Sequence, residues 1–169
     1  LLALDGMDLS GQRVLELGTS NGILAIAAAK RGATVIAVDH DPAVLAWARR
    51  NAEANGVADR IEFRLQDFSA IHPEPVDLLM TNLPHRLFLG EALPVMSEFT
   101  TARRWIFTGV PLLLPEAEEV NARIFQLAKL IPTETVVLSN FEPLVGAVHY
   151  YPTYVGERRP GPSEPNASS

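Results

Sequence analysis

Acids and small residues are spaced along the first forty positions in a pattern that suits the binding of a nucleotide-like molecule. An apolar run that contains Glu16 is followed by small residues at alternate positions, Gly18, Ser20 and Gly22, and an apolar helical pattern begins at once. A loop of small residues between a strand and a helix lets a ligand approach the backbone closely. It also turns the free N–H groups of the helix start toward that ligand.

A second acid extends this pattern. The apolar run TVIAV ends in Asp39, and a carboxylate that closes a buried strand is costly unless it has a partner. The two hydroxyls of a ribose are such a partner. Loop and acid together predict a nucleoside-containing cofactor on a parallel α/β sheet. The alternative is that Asp39 only flanks the next helix, although Asp41 is the better N-cap candidate.

A third group of residues follows a later apolar run, in the order Asn82-Leu83-Pro84-His85. Open α/β folds bind ligands at the carboxyl edge of the sheet, where Asn82 is expected to lie. Pro84 favours an extended conformation for Leu83, which leaves backbone carbonyls available. Two alternatives remain: Asn82 simply makes a turn, and His85 is a solvated loop residue rather than a flat surface for a planar substrate.

The elements that would position these residues alternate along the chain. The patterns predict strands over 13–18, 34–39, 61–67, 76–82 and 103–110, and helices over 21–30, 42–54, 88–99 and 115–130. Asp41-Pro42 supplies an N-cap and a first-turn proline for the second helix, and Asn55-Gly56 ends it. The helix over 88–99 is weaker because Pro94 interrupts it.

The end of the chain departs from this alternation. Strands are predicted over 133–141 and 145–155, joined by the short turn Glu142-Pro143-Leu144. That turn is too short for a helical crossover, so the two strands form an antiparallel hairpin. We therefore expect a Rossmann-like, doubly wound seven-stranded sheet, built from five parallel β/α steps and then an antiparallel C-terminal hairpin.

These residues and this strand order resemble the class I S-adenosylmethionine-dependent methyltransferases, over about Arg13 to Val155. In that family an acid opens a loop of the pattern E/D-x-G-x-G-x-G, which here begins at Glu16 and has Ser20 in place of the middle glycine. The resemblance implies S-adenosyl-L-methionine as cofactor. The residues it implies for binding are Glu16, Gly18, Thr19, Ser20, Gly22, Asp39, His40, Asp67, Phe68 and Asn82.

The resemblance also implies individual roles. Glu16 would bind the ligand's ammonium through water, or only fix the loop, and Asp39 would hold the ribose. Asp67, at the end of strand three, would reach the adenine amino group with Phe68 beside the ring. The alternatives are an ordinary loop acid at Asp67 and plain core packing at Phe68.

The acceptor motif resembles the small-domain, amino-methylating branch, whose pattern is N/D-P-P-Y/F/W. There the Asn oxygen and the next backbone carbonyl accept the amino hydrogens of the acceptor. The catalytic residues implied are Asn82, Leu83, Pro84 and His85. A related ribosomal-protein lysine branch keeps the Asn but lacks the double proline, and Asn-Leu-Pro-His lies between the two patterns. No metal or covalent nucleophile is needed.

The resemblance predicts an N-methyltransferase acting on an amino or amide nitrogen of a protein or RNA. A small-molecule methyltransferase and a non-catalytic cofactor-binding module are the alternatives. A nicotinamide dinucleotide site is a weaker interpretation, because G-x-G-x-x-G would need glycines where Ser20 and Ile23 stand.

Composition sets the remaining expectations. A chain of 169 residues with 47% hydrophobic residues fits one domain, over 1–155, which we expect to lack an N-terminal element and to precede a disordered tail over 156–169. The net charge of −6 predicts weak binding to RNA and DNA. Without cysteines, a signal peptide or a long apolar run, we expect a cytoplasmic protein with no membrane contact. The oligomeric state stays open.

Overall fold

The computed structural model describes residues 2–99, 101–108, 126, 130–136 and 153–158. Seven strands within these ranges form one sheet. They are β1 (Arg13–Leu17), β2 (Thr34–Asp39), β3 (Ile61–Leu65), β4 (Leu78–Asn82), β5 (Arg104–Thr108), β6 (Leu130–Val136) and β7 (Thr153–Arg158).

The strands lie in the order β3-β2-β1-β4-β5-β7-β6. The pairs among β1 to β5 are parallel, and β7 runs antiparallel to both of its neighbours, β5 and β6. From β1 the chain builds outward first to β2 and β3, and then returns to place β4 on the other side. The carboxyl ends of β1 and β4 therefore flank the topological switch point, where open α/β sheets bind ligands. The expected Rossmann-like α/β architecture is confirmed.

The helices cover both faces of this sheet. They are α1 (Ile23–Ala29), α2 (Pro42–Ala54), α3 (His85–Leu87), a π-helical turn (Phe88–Ala92) and α4 (Leu93–Ser97), with short 3-10 turns at Leu2–Leu4, Ala58–Arg60 and Phe68–Ala70. Alternate strand residues belong to two separate apolar clusters, because successive side chains of a strand point to opposite faces. Leu15 packs in the cluster of the 85–97 helical segment, and Val14 in the cluster of α1.

The starts of the first two helices follow local chemistry. The side chain of Asp41 caps α2 by accepting from the amides of Ala43 and Val44, at 2.8 and 3.4 Å. This cap and the end of α2 at Asn55, before Gly56 at φ 69°, confirm the predicted bounds of that helix. The predicted start of α1 at residue 21 is wrong, because Gly22 at φ 82° lies in the left-handed region and is itself the cap.

The 85–97 segment differs from the predicted helix over 88–99. It begins three residues earlier, where the carbonyl of Pro84 accepts from the amide of Phe88 at 2.9 Å. Pro94 does not interrupt it. A proline lacks the N–H that an α-helix requires, and here it stands in the first turn of α4, just after the π-helical turn has shifted the hydrogen-bond register.

The C-terminal strands are antiparallel as expected, with other bounds. β6 begins at Leu130, where a helix was predicted to end, and it contains Pro132. Pro132 is tolerated because β6 is the edge strand and its register shifts between Pro132 and Glu134. The predicted turn over 142–144 lies outside the described residues. So does the predicted helix over 115–130, apart from Gln126, which is helical, and Leu130.

The last strand also extends past the predicted domain boundary. Gly156 to Arg158 belong to β7, whereas the sequence predicted a disordered tail from residue 156. The contacts that hold this end include a hydrogen bond from Arg104 Nε to Glu157 at 2.9 Å and one from the amide of Arg158 to the carbonyl of Arg103 at 2.7 Å. The polar residues at this end show no strand pattern, and the strand partners that stabilise it are remote in sequence. Residues 159–169 lie outside the described ranges.

We predict that the chain ended after Val155 is less stable than the chain ended after Pro160, by about 1–3 kcal/mol. The shorter variant loses the pairing of Trp105 with Gly156 and the Arg104–Glu157 ion pair. Urea unfolding followed by circular dichroism measures the difference. Equal midpoints for the two truncations would mean that the end of β7 contributes nothing.

Candidate active site

The strand registers bring the sequence-predicted residues together at the switch point. Leu17, the last residue of β1, is paired with Val38 on one side and with Thr81 on the other. The next residues along these three strands are Gly18, Asp39 and Asn82. The loop that follows β1 therefore begins between the acid of β2 and the amide of β4.

Backbone hydrogen bonds hold this loop over the end of β2. The amides of Gly18 and Thr19 both donate to the carbonyl of Val38, at 2.9 and 3.0 Å, and the amide of Ser20 donates to Asp39 Oδ2 at 3.1 Å. Gly22 closes the turn by donating to the carbonyl of Thr19 at 2.8 Å. The loop is thereby fixed to the strand that carries the predicted ribose acid.

Three alternate loop residues have left-handed backbone conformations: Gly18, Ser20 and Gly22, at φ 72°, 51° and 82°. This explains why the pattern of small residues falls on alternate positions. Ser20 is the one described residue other than glycine with a positive φ. A non-glycine residue there costs on the order of 1 kcal/mol, so the serine at the family's middle glycine is tolerated at a small loss of stability.

Two of these glycines also make room for neighbours. A Cβ at Gly18 would lie 2.5 Å from Leu83 Cδ2, and one at Gly22 would lie 3.1 Å from the Cβ of Ala48. The loop is therefore packed tightly against the segment after β4 on one side and against α2 on the other.

Asp39 fits the predicted role of a hydroxyl acceptor. It is buried, and its two oxygens accept from the amides of Ser20 and Asp41, at 3.1 Å each. A carboxylate offers about four lone-pair positions. Positions for two hydroxyl donors therefore remain, on a carboxylate whose orientation the backbone has already set.

Glu16 is almost fully buried, at 2% exposure, and it accepts from Thr19 Oγ1 at 2.7 Å. Burial raises the pKa of Glu16 to about 8, against the hydrogen bonds of Thr19 and the Ala25 amide, and the negative charge of Asp39 adds to the rise. At neutral pH the carboxyl is thus mostly protonated. A cation placed beside it would favour its ionised form.

The predicted adenine residues lie on the next loop. Asp67 does not end β3, as the sequence suggested, but follows its last residue by two positions, because it caps the 3-10 turn at Phe68–Ala70. The Ser69 hydroxyl and amide lower the pKa of Asp67, and His40 lowers it further. His40 is exposed, with Nδ1 3.5 Å from Asp39 Oδ1, so it lies near both acids. Phe68 is partly buried against the core, and its contact with adenine stays a prediction.

The predicted acceptor motif divides into parts with different environments. Asn82 is exposed at the carboxyl end of β4, Leu83 is buried, and Pro84 is exposed. The backbone of His85 begins α3, so His85 is not the loop residue that one interpretation expected. The side chain of His85 lies outside what the structure describes.

Sequence reasoning missed several residues that shape the site. Thr81 Oγ1 donates to the carbonyl of Leu17 at 3.0 Å within the buried sheet, and Asn51 Nδ2 donates to the carbonyl of Asn21 at 2.8 Å. A polar residue inside an apolar strand was the available clue for Thr81. Nothing local identified Asn51 or Ala48, because their partners are thirty or so residues away along the chain. Among the described residues, no group of three His, Cys, Asp or Glu could hold a metal ion.

The strand order, the loop after β1 and the acid that ends β2 define the class I methyltransferase type of Rossmann-like domain. Within this class, the sequence pattern of one family, described as ribosomal protein L11 methyltransferase (PrmA), matches residues 1–123. The chain belongs to this family. The expected resemblance to the class I methyltransferases is confirmed at the level of the family, and assignment to the N-P-P-Y-like branch stays a prediction.

The relatives agree with this assignment. The chain is 44% identical over 98 residues to a ribosomal protein L11 methyltransferase of Deinococcus radiodurans. The aligned region covers 53% of this chain and 36% of the relative. A second such protein, from Actinobacillus succinogenes, is 41% identical over 99 residues, covering 56% of this chain and 32% of the relative. The chain spans about a third of the length of the curated relatives it matches.

Solved structures share the fold at low sequence identity. A ribosomal protein L11 methylase from Lactobacillus delbrueckii subsp. bulgaricus superposes with a TM-score of 0.70 at 20% identity, covering 94% of this chain and 76% of that one. Magnesium protoporphyrin IX methyltransferase from Synechocystis PCC 6803, crystallised with S-adenosylmethionine, superposes with a TM-score of 0.72 at 22% identity, covering 94% and 74%. These likenesses establish the fold. Within the described residues, no helix has the length and apolar character that a membrane crossing requires.

The raised pKa of Glu16 predicts a pH-dependent stability. The folded chain keeps a proton that the unfolded chain loses above about pH 4.5, so stability falls as pH rises from there toward about 8. Glu16→Gln removes this dependence. As pH rises, the free energy of unfolding of the variant increases relative to that of the wild type, by up to about 1.4 kcal/mol per pH unit. Urea unfolding between pH 5 and 8 measures it. The exposed Glu53→Gln is the control, and parallel profiles for wild type and Glu16→Gln would contradict the prediction.

Proposed function

We propose that this chain is the cofactor-binding catalytic domain of a cytoplasmic S-adenosylmethionine-dependent N-methyltransferase, and that its acceptor is an amino nitrogen of ribosomal protein L11. One observation carries the proposal: in a member of the L11 methyltransferase family, Asp39 and Asn82 flank the loop at the switch point. Under this proposal, Asp39 binds the ribose on one side of the loop and Asn82 binds the acceptor nitrogen on the other side.

The residues of the site fit the cofactor. The buried carboxylate of Asp39 retains acceptor positions for the two ribose hydroxyls, and the loop beside it has small residues in left-handed conformations. Glu16 is a buried carboxyl beside the same loop and suits the cofactor's ammonium. Asp67 and His40, which are close enough to interact, are exposed toward the expected adenine side.

The cofactor supplies a methyl group on a positively charged sulfur, which is electrophilic without help from a metal. The chain's own task is to align donor and acceptor, which contributes several kcal/mol to a two-substrate reaction. The hydrogen bonds from the loop to Val38 and Asp39 position the methyl donor, because they fix the loop that binds the cofactor relative to β2.

Asn82 positions the methyl acceptor. Its side-chain oxygen and the carbonyl of Leu83 can each accept a hydrogen from an acceptor amine, which orients the nitrogen lone pair toward the loop. Pro84 supports this arrangement, since the residue before a proline is held out of the helical conformation. The helix begins only at His85, which leaves the Leu83 carbonyl outside it.

The acceptor class follows from the family and from the charge. The family and the relatives carry the name of ribosomal protein L11, and the net charge of −6 disfavours a bare phosphate backbone. The motif Asn82-Leu83-Pro84-His85 has one proline where the N-P-P-Y branch has two. We therefore favour a flexible amine of a protein over a planar amide or a base of RNA. A small-molecule acceptor and a non-catalytic module are the remaining alternatives.

We predict that Asp39→Ala weakens binding of S-adenosylhomocysteine by about 1–3 kcal/mol, because charge-assisted hydrogen bonds to the ribose are lost. Isothermal titration calorimetry on the folded variant measures this. Asp59→Ala changes an exposed acid of a 3-10 turn and serves as the control. Unchanged affinity in Asp39→Ala would remove Asp39 from the cofactor site.

We predict that Asn82→Ala lowers kcat at least about tenfold and leaves cofactor affinity nearly intact, because the lost contact is to the acceptor. The assay follows transfer of a labelled methyl group to purified ribosomal protein L11 by the full-length protein. Asn55→Ala, at the end of α2, is the matched control.

The outcomes of this assay separate the alternatives. Equal labelling by wild type and Asn82→Ala would refute the role of Asn82. Cofactor binding with no labelling of any acceptor in a lysate would favour the non-catalytic module, and labelled RNA would replace the protein acceptor.

A further inference from the structure

The side chain of Leu83 packs against the loop after β1, and Leu83 directly follows Asn82 in the chain. Leu83 is buried at 9% exposure, although both of its chain neighbours, Asn82 and Pro84, are exposed. Outside Gly18 and its two chain neighbours, the three atoms nearest to the position of a Cβ on Gly18 all belong to Leu83, at 2.5, 3.3 and 3.8 Å. Leu83 therefore occupies the space that the missing side chain of Gly18 leaves open.

This contact completes the fixation of the loop. Hydrogen bonds tie the loop to β2 through Val38 and Asp39, but they do not reach β4. On the β4 side, the buried hydrogen bond from Thr81 Oγ1 reaches the carbonyl of Leu17, which is the residue before the loop. The packing of Leu83 on Gly18 joins the loop itself to the chain after β4.

The segment that carries Leu83 is held at both ends. Asn82 pairs with Thr108 in the sheet, and the Pro84 carbonyl accepts from the amide of Phe88 at 2.9 Å. Phe88 and Leu83 belong to the same apolar cluster. Because the backbone on both sides of Leu83 is held, we expect a displacement of Leu83 to change the direction of the Asn82 side chain and of the Leu83 carbonyl.

We propose that the Leu83 side chain is a positioning residue, which sets the distance between the cofactor loop and Asn82 through its contact with Gly18. This rests on the proposed function for its catalytic consequence. The contact is to the side chain alone, so it is separate from the acceptor role given to the Leu83 carbonyl. Position 18 then requires glycine for a second reason besides its positive φ, because any side chain there would displace Leu83.

The test compares Leu83→Ala with Leu93→Ala and Leu83→Met in the full-length protein. Leu93 is a buried leucine of the same cluster, on α4, and its truncation removes the same atoms from the core. Both alanine variants are destabilised, so all assays run well below the melting temperature of each. Methionine restores the volume without restoring the branch.

We expect Leu83→Ala to lower kcat for methyl transfer to ribosomal protein L11 at least about tenfold at saturating cofactor, and to weaken S-adenosylhomocysteine binding about threefold to tenfold. Leu93→Ala should stay within about twofold of the wild type in both, and Leu83→Met should recover most of the loss. Calorimetry gives the binding constant, and the split between KM and kcat gives the kinetic effect.

Equal behaviour of Leu83→Ala and Leu93→Ala in kcat and in cofactor affinity would overturn the proposal, because Leu83 would then be ordinary core. If the wild type does not methylate L11, the proposed acceptor fails and the binding constants alone decide. Weaker binding in Leu83→Ala with normal binding in Leu93→Ala would then still support the contact, and equal binding would refute it.

Discussion

The carbonyl of Val38 accepts two backbone amides, from Gly18 and Thr19, and much of the site depends on this junction. It binds the loop after β1 to the end of β2, which leaves the next amide, that of Ser20, facing the carboxylate of Asp39. Two consecutive donors on one acceptor require a sharply turned loop, so the chain adopts left-handed conformations at alternate positions. The pattern of small residues is thus a requirement of geometry first and of ligand binding second.

Three acids near this junction differ in burial and in protonation. Glu16 is buried and mostly protonated at neutral pH, Asp39 is buried with both oxygens hydrogen-bonded to the backbone, and Asp67 is exposed on its own turn. Three acids at one sheet edge would repel one another if all were buried and charged. The repulsion is reduced because Glu16 is mostly protonated and Asp67 is exposed to solvent.

The sequence predicted where the candidate site residues lie in the fold, because these residues are local to strand ends. Gly18, Asp39 and Asn82 all follow apolar runs, and period-two and helical patterns locate such runs reliably. It failed where remote partners decide the outcome. β7 continues to Arg158 because Arg103 and Arg104 pair with it, and Pro132 lies within an edge strand that composition did not reveal. Leu83 looked like part of an acceptor motif, and only packing showed that its side chain faces Gly18.

The position of β7 between β5 and β6 has a consequence for the order of assembly. β1 to β4 are complete by Asn82, and together they contain every strand that carries a predicted ligand contact. β5, by contrast, keeps one edge unpaired until a strand about fifty residues later is inserted beside it, and long-range pairing of this kind is slow. During synthesis, the strands of the predicted binding edge are therefore made first. The edge of β5 stays unpaired until β7 has been made, and an unpaired strand edge can pair with the wrong chain.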